Sequence, residues 1–247
     1  MKKIIDICYN ENTQQYLDVY LPECDAFPVL LYFHGGGLEG GDKSGAGLFF
    51  DYLTSHGIAV VSANYRMYPR AKYPDFLIDA ADATAWTAKQ MEKYGKIKGI
   101  YISGSSAGGY IAQMLCFDKS WLSPHGISPT DLAGFVFDAG QPTCHFNVLR
   151  ERGLDTRRVL VDDSAPLYHI GESEQYPPML VIVSDHDMRN RYEQTQLMVS
   201  TLKHFGHADK VYVKVMNGTH CAYIGAADEK GESVFGKLVS GFITGEG

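Results

Sequence analysis

The feature that most constrains the fold is a series of six short apolar runs, separated by stretches with helical spacing. The runs occupy residues 28–33, 58–63, 97–103, 132–139, 178–184 and 210–216. Helical candidates lie at residues 45–56, 76–94, 106–117, 190–205 and 231–243. Most of the apolar runs lack strict alternation of apolar and polar residues, which is typical of strands covered on both faces. The repeated order of strand, helix and strand therefore predicts an α/β fold with a mostly parallel, doubly wound sheet.

Two segments depart from this rhythm. Residues 15–21 alternate in polarity and end at Pro22, so we expect them to form an antiparallel hairpin with residues 3–9 at one edge of the sheet. Residues 140–177 contain scattered His, Pro, Arg and Asp with little apolar periodicity, which predicts a small insertion or minimal lid over the strand ends. Because neither a low-complexity linker nor an internal repeat is present, we predict a single domain over residues 1–247.

Charge and composition exclude several classes of function. The net charge of -7 and the absence of a Lys/Arg cluster argue against a nucleic-acid partner. No stretch of about 18 apolar residues occurs, so we expect no membrane span. The five cysteines have no ligand spacing, and they indicate reduced thiols and no metal site. We expect a cytoplasmic protein, although removal of an export signal ahead of residue 1 stays open.

A serine lies at the junction between the run at 97–103 and the following helical stretch. Gly104-Ser105-Ser106-Ala107-Gly108 matches G-x-S-x-G, in which the central serine occupies a strained turn and projects its hydroxyl. An ordinary helix-capping serine is the alternative, but a cap needs no surrounding glycines. We therefore predict that Ser106 is a nucleophile.

A serine nucleophile needs a base, and the base needs an acid that orients it. His220 follows the last apolar run and is the candidate base. Asp185 and Asp187 both follow the run at 178–184, and we favour Asp187 because it lies farther into the loop. The chain order Ser106, Asp187, His220 is the order found in α/β-hydrolases. A neutral histidine is required, so activity should fall as pH drops through the range where imidazole becomes protonated.

The stretch His34-Gly35-Gly36-Gly37 follows the run at 28–33 and carries no side chains that would obstruct its amides. Acyl transfer needs backbone N–H groups aimed at the forming oxyanion. We assign these donors to Gly36, Gly37 and Ala107, and we expect His34 to orient the loop. A flexible turn that uses its glycines for positive φ is the alternative.

Taken together, these motifs resemble the hormone-sensitive-lipase-like carboxylesterases. The resemblance covers roughly residues 16–243 and includes "HGGG", "GSSAGG", "SANYRMYP" (62–69), Asp187 and His220. It implies an α/β-hydrolase fold and a serine esterase that acts on a small-molecule ester without a metal or organic cofactor. It also implies that Arg66, next to Tyr65, and the downstream Asp79 support the active-site loops structurally.

The sequence departs from that family at the substrate pocket. Leu38 stands where an aromatic residue often follows the glycines, and only 33 residues precede the glycine run, so we expect an open pocket. Candidates for its lining are Leu38, Glu39, Lys43, His145, Phe146 and Tyr168.

Three functions stay open at this point. Compact members of the resembling family include acetyl and feruloyl esterases and kynurenine formamidases. We therefore expect hydrolysis of small-acyl carboxylic esters, with an arylformamidase-type amide hydrolase as the alternative. A receptor that keeps the hydrolase fold without turnover is the third. Neither acyl-chain preference nor the choice between monomer and homodimer follows from the residues.

Overall fold

The structure, a computed structural model, describes residues 1–246. Its eight strands are β1 (Lys2–Asn10), β2 (Gln15–Leu21), β3 (Ala26–Phe33), β4 (Ala59–Ala63), β5 (Lys96–Ser105), β6 (Gly134–Asp138), β7 (Met179–His186) and β8 (Val211–Thr219). Its six helices are α1 (Gly47–Ser55), α2 (Asp75–Gln90), α3 (Ala107–Phe117), α4 (Phe146–Glu151), α5 (Arg191–His204) and α6 (Val234–Thr244). All eight predicted strands and all five predicted helices are present, and α4 is additional.

The eight strands form one sheet in the order β1-β2-β4-β3-β5-β6-β7-β8. β1 and β2 pair as an antiparallel hairpin, and β2 is also antiparallel to β4. Every other pair of neighbours, from β4 to β8, is parallel. The predicted mostly parallel, doubly wound sheet with an N-terminal antiparallel hairpin is therefore confirmed.

Helices cover both faces of the sheet, which explains why the strand sequences lack alternation. On β3, Leu31 and Phe33 belong to the core formed with α2, α3 and α5. Leu30 and Tyr32 point the other way and pack in the core formed with α1 and α6. Each fully buried side chain of this size contributes roughly 1.5 to 3 kcal/mol through the hydrophobic effect. Because buried side chains cover both faces of the sheet, the carboxyl ends of the parallel strands are held in fixed positions.

The segment between β6 and β7 contains the predicted insertion, residues 140–177. It carries α4 and a single 3-10 turn, Pro166–His169, and has a small apolar cluster of Cys144, Leu149 and Ala165. The hydroxyl of Tyr110 on α3 donates to the Ser164 carbonyl at 2.7 Å and ties the segment to the main body. A helix of six residues is too short to show an amphipathic period in the sequence. A lid role for this segment and a single-domain organisation both stay predictions.

None of the helices within residues 1–246 is long and apolar enough to cross a bilayer. A cytoplasmic location stays a prediction.

Candidate active site

Ser106 occupies the turn from β5 into α3. Its backbone has φ 55° and ψ -111°, a conformation that non-glycine residues rarely adopt. The amide of Ser106 donates to the Asp138 carbonyl at 2.7 Å, and its carbonyl accepts from the Tyr110 amide at 3.0 Å. Backbone strain of this kind persists only where neighbouring contacts enforce it. The turn thereby holds the Ser106 hydroxyl at the carboxyl edge of the sheet.

The glycines around Ser106 allow a very close approach of backbone to backbone. A Cβ at Gly108 would overlap the carbonyl of Phe33 at the end of β3, and one at Gly104 would overlap the backbone of Gly108. A Cβ at Gly35 would lie 3.3 Å from the Cβ of Ser106. The glycine loop after β3 therefore packs directly against the serine turn, because the side chains that would separate them are missing.

The structure brings Ser106, His220 and Asp187 together from three separate strand ends. His220 Nε2 lies 2.8 Å from Ser106 Oγ, and His220 Nδ1 lies 2.5 Å from Asp187 Oδ1. Asp185, the other candidate acid, is exposed and accepts from the Gly218 amide at 2.8 Å. Of the two aspartates, only Asp187 is hydrogen-bonded to His220.

The Asp187 carboxylate is fully buried but well supplied with donors. The Met188 amide donates to it at 2.7 Å and the Ser184 amide at 3.3 Å, in addition to His220. Burial alone would raise the pKa of Asp187, but the hydrogen bond and charge of His220, together with these amides, outweigh burial and lower it. The carboxylate is therefore ionised across the neutral range and suited to stabilise an imidazolium.

The glycine loop presents free amides beside Ser106. Gly36 and Gly37 have φ values of 115° and 67°, which favour glycine, and the Gly36 carbonyl accepts from the Gly40 amide at 3.0 Å. Within residues 1–246, no acceptor is hydrogen-bonded to the amides of Gly36 and Gly37. Ala107 is the first residue of α3, so its amide has no partner within the helix. Gly36 and Gly37 line the same cavity as Ser106.

His34 and Tyr65 support this loop from behind. The His34 ring is buried, stacks on Tyr65 with centroids 4.5 Å apart, and places Nδ1 2.7 Å from the Gly35 carbonyl. The Tyr65 hydroxyl donates to the His34 carbonyl at 2.8 Å. Burial lowers the pKa of His34, so the ring stays neutral and can donate one hydrogen bond from Nδ1 to the Gly35 carbonyl.

Arg66 and Asp79 form the second support. The fully buried Asp79 carboxylate accepts from the Arg66 backbone amide at 2.7 Å and from Arg66 Nε at 2.9 Å. This pair ties the loop after β4 to α2. From the same loop, the Tyr68 amide donates to the Leu38 carbonyl at 2.8 Å, so the pair also holds the end of the glycine stretch.

The cavity at Ser106 has a volume of about 490 Å³. Phe146, a predicted lining residue, is part of its wall. Side chains that the sequence analysis did not single out also contribute: Tyr32, Asp42, Met188, Cys221 and Ile224. Met188 and Cys221 directly follow Asp187 and His220 in the chain. Their sequence position alone therefore indicates that they lie in or near the cavity wall.

The other candidates for the pocket lie elsewhere. Leu38 is buried in the hydrophobic core, because its backbone has φ 64° and turns the side chain inward. Glu39 pairs with Arg150 at the surface. His145 is buried beneath Phe146, where its Nδ1 accepts from the Asn147 amide at 3.2 Å and caps α4.

Lys43 and Tyr168 are also absent from the cavity wall. Lys43 is nearly buried and pairs with Asp18 at 2.7 Å and with Asp6 at 2.8 Å, which fixes the N-terminal hairpin. Tyr168 is exposed on the insertion.

Asn147 is a site residue that no sequence pattern indicated. It is fully buried on α4, and its Nδ2 donates to the Gly37 carbonyl at 2.9 Å. A Cβ at Gly37 would lie 3.0 Å from Phe146 Cζ. The insertion therefore holds the glycine loop through this hydrogen bond and this aromatic contact, in addition to the ion pair between Arg150 and Glu39.

A buried acid lies beneath the site at the end of β6. Asp138 is fully buried, accepts a hydrogen bond from the Tyr223 hydroxyl, and lies 3.8 Å from Cys221 Sγ. Burial raises the pKa of Asp138 to about 6, although the hydrogen bonds from Ser105 and Tyr223 oppose the rise. In the sequence, Asp138 is a single Asp at the end of an apolar run, and this pattern indicates neither its burial nor its raised pKa.

Parts of this chain are similar in sequence to known hydrolases. The family model BD-FAE matches residues 17–123. A kynurenine formamidase from Danio rerio is 28% identical over 135 residues, which cover 54% of this chain and 44% of that protein. Esterase LipI from Mycobacterium tuberculosis is 37% identical over 105 residues, covering 42% of this chain and 33% of that protein. The chain thus spans less than half the length of these two relatives.

The fold matches solved structures over nearly the whole chain. Esterase B from Lactobacillus rhamnosus superposes with a TM-score of 0.79 at 16% identity, covering 98% of this chain and 85% of that one. The strand order, the serine turn after β5 and these likenesses agree with one another. The chain therefore has the α/β-hydrolase fold, and parts of its sequence are similar to the BD-FAE family model and to known esterases.

Proposed function

We propose that this chain is a serine hydrolase that cleaves small-acyl carboxylic esters through Ser106, His220 and Asp187. The observation that carries the proposal is the unbroken hydrogen-bond chain from Asp187 through His220 to the Ser106 hydroxyl, at 2.5 and 2.8 Å. Such a chain is the arrangement that nucleophilic catalysis by a serine requires.

In the first half of the reaction, His220 Nε2 takes the proton from Ser106 Oγ as the oxygen attacks the ester carbonyl. The amides of Gly36, Gly37 and Ala107 stabilise the negative charge that develops on the carbonyl oxygen. Asp187 stabilises the imidazolium of His220. The intermediate then collapses, the C–O bond to the alcohol breaks, and His220 returns its proton to the departing alcohol.

The second half repeats these steps with water. His220 removes a proton from a water molecule, which attacks the acyl group on Ser106. The carboxylic acid leaves as the proton returns from His220 to Ser106 Oγ. Each catalytic group ends in its starting protonation state, and the reaction consumes only the ester and water.

The shape of the cavity supports a small acyl group. Its volume of about 490 Å³ lies in the lower half of the range usual for ligand pockets, and Phe146 and Met188 are part of its wall. Hydrolysis of an N-formyl amide is the second candidate, favoured by the similarity to a kynurenine formamidase. Both reactions use the same nucleophile and differ in the leaving group.

The test compares Ser106→Ala with Ser105→Ala. Ser105 is the matched control, since it neighbours Ser106 but its buried hydroxyl accepts from the Tyr32 hydroxyl at 3.0 Å. We expect Ser106→Ala to lose roughly 10⁴-fold or more of the turnover of p-nitrophenyl acetate. A fluorophosphonate probe should label the wild type and Ser105→Ala but not Ser106→Ala. Near wild-type turnover in Ser106→Ala would overturn the proposal.

A panel of acetyl, butyryl, octanoyl and feruloyl esters together with N-formylkynurenine separates the two candidate reactions. We expect the highest kcat/KM with acetyl or butyryl esters. A clear preference for the formyl amide would instead assign the amide-hydrolase function. All activities in the panel should disappear in Ser106→Ala.

A further inference from the structure

A second cavity, of about 430 Å³, adjoins the one at Ser106. The two share the side chains of Phe146 and Met188 as a common wall. Met188 directly follows Asp187, and Phe146 lies against Gly37. A substrate bound at Ser106 therefore has this second cavity within reach on the side of the insertion.

Arginines dominate the second cavity, which we call the arginine cavity. Arg157 and Arg158 come from the insertion, and Arg189 and Arg191 come from the loop and helix after β7. Within residues 1–246, no Asp or Glu lines it. Six of the eight arginines of this acidic chain fall between residues 150 and 191. Four of them line this one cavity, in a protein whose net charge is -7.

Most of this charge has no ion-pair partner among residues 1–246. Arg157 pairs with Asp155 at 2.6 Å, but within residues 1–246 neither Arg158 nor Arg189 forms an ion pair. Arginine also differs from lysine in presenting a planar fork of donors that matches a carboxylate. Two exposed guanidinium groups from two different chain segments are therefore free to bind an anion in the cavity.

Arg191 is the least expected of the four because it is only 4% exposed. It donates to the Ala139 carbonyl and, at 3.3 Å, to Gln141 Oε1, but no carboxylate within residues 1–246 forms an ion pair with it. Buried charges are normally paired, because removing a lone ion from water is costly. The negative charge of Asp187 acts on Arg191 from beyond ion-pair distance, and an anion in the cavity would supply a direct partner.

We propose that the arginine cavity binds a carboxylate group of the substrate, so that the enzyme prefers acidic esters. In such an ester, the acyl or the alcohol part carries a carboxylate a few bonds from the cleaved carbonyl. The carboxylate enters between Arg158 and Arg189, while the ester reaches past Phe146 and Met188 to Ser106. This assignment rests on the proposed serine hydrolase function and names its substrate class.

Matched pairs of substrates test the assignment. The 4-nitrophenyl monoester of glutarate and 4-nitrophenyl valerate have acyl chains of equal length. The glutarate ester ends in a carboxylate and the valerate ester ends in a methyl group. For the alcohol side, 4-acetoxybenzoate is compared with 4-tolyl acetate. The readout is the ratio of kcat/KM for the acidic ester to that for its neutral partner, which does not depend on the fraction of active protein.

The variants are Arg158→Gln, Arg189→Gln and the two combined. The control is Lys98→Gln, which removes one exposed positive charge from the part of β5 remote from the site. We expect the ratio for the acyl or the alcohol pair to fall about tenfold or more in the double variant, since charge-assisted hydrogen bonds are lost. Lys98→Gln should leave it within about twofold of the wild type. Raising the salt concentration should lower the ratio in the wild type and have little effect in the double variant.

Two kinds of failure are distinguishable. If the wild type cleaves the neutral esters and both ratios are the same in the double variant, the arginine cavity does not bind the substrate and only this inference is overturned. If no ester is cleaved and a fluorophosphonate does not label Ser106, the serine hydrolase proposal fails. Binding of free glutarate, measured by calorimetry on the wild type and the double variant, then tests the cavity alone. Equal glutarate affinity, or tighter binding of inorganic phosphate than of glutarate, overturns the carboxylate assignment.

Discussion

The buried carboxyl of Asp138 makes the stability of the fold depend on pH in a direction opposite to that of most acids. Burial raises its pKa to about 6, from an ordinary value of 3.8. Between these values the folded protein holds a proton that the unfolded chain has released. The free energy of unfolding contributed by this group is therefore present at acidic pH and lost as pH rises through 6. Linkage gives a loss of about 2 kcal/mol between about pH 4.5 and about pH 7.5.

Asp138→Asn removes this titration and keeps the oxygen that accepts from the Tyr223 hydroxyl. Relative to the wild type, the variant should gain about 2 kcal/mol in free energy of unfolding between about pH 4.5 and about pH 7.5. His34 and His145 are also buried, and burial lowers their pKa values. Both histidines titrate in the two proteins alike, so their contribution cancels in the difference.

The assay is urea unfolding at several pH values, followed by the fluorescence of Trp86 and Trp121, which pack against the core. Asp163→Asn is the matched control, because it replaces a carboxylate at the protein surface. Its pH profile should run parallel to that of the wild type. If the profiles of Asp138→Asn and the wild type are also parallel, the reasoning from burial of Asp138 is refuted.

Two further predictions concern the serine turn and its acid. Asp187→Asn should lower the kcat for p-nitrophenyl acetate by about 10⁴-fold. Asp185→Asn, at the exposed neighbour, should lower the same kcat by no more than a few-fold. Similar losses in both variants would contradict the assignment of Asp187 as the acid. Gly108→Ala should lower the free energy of unfolding by several kcal/mol and lower the melting temperature, because the new Cβ overlaps the Phe33 carbonyl. Gly225→Ala adds its Cβ in open space and should barely change the melting temperature. Equal melting temperatures for the two variants would argue against the tight contact between β3 and α3.

The strands and most helices were predictable because their signal is local. Burial on both faces requires continuous apolar runs, and the doubly wound order follows from their spacing. The strained turn at Ser106 was predictable for a related reason, since its backbone conformation and the close approach of Phe33 demand glycines at fixed offsets, while the role of Ser106 as nucleophile stays a prediction. The contact of Asp187 with His220 was predictable from chain position alone, because Asp187 lies farther into the loop than Asp185.

Other features depend on contacts between distant segments, and the sequence pattern does not record them. Leu38 follows the glycines directly, but its backbone conformation sends the side chain into the core instead of the cavity. Asn147 and the arginine cavity acquire their roles only when the insertion folds against the β7–α5 loop and the glycine stretch. Asp138 acquires its high pKa only from the packing of β6 between neighbouring strands.

The hydrogen bond from Asn147 to Gly37 joins two parts of the molecule that a protein engineer would prefer to alter separately. Phe146 of the insertion lines the cavity, the glycine stretch carries the amides proposed to stabilise the charged intermediate, and the buried amide of Asn147 joins the two segments. Exchanging the insertion for that of another hydrolase would therefore alter selectivity and reaction rate at the same time. A graft that keeps an amide at position 147 is the way to vary the first without sacrificing the second.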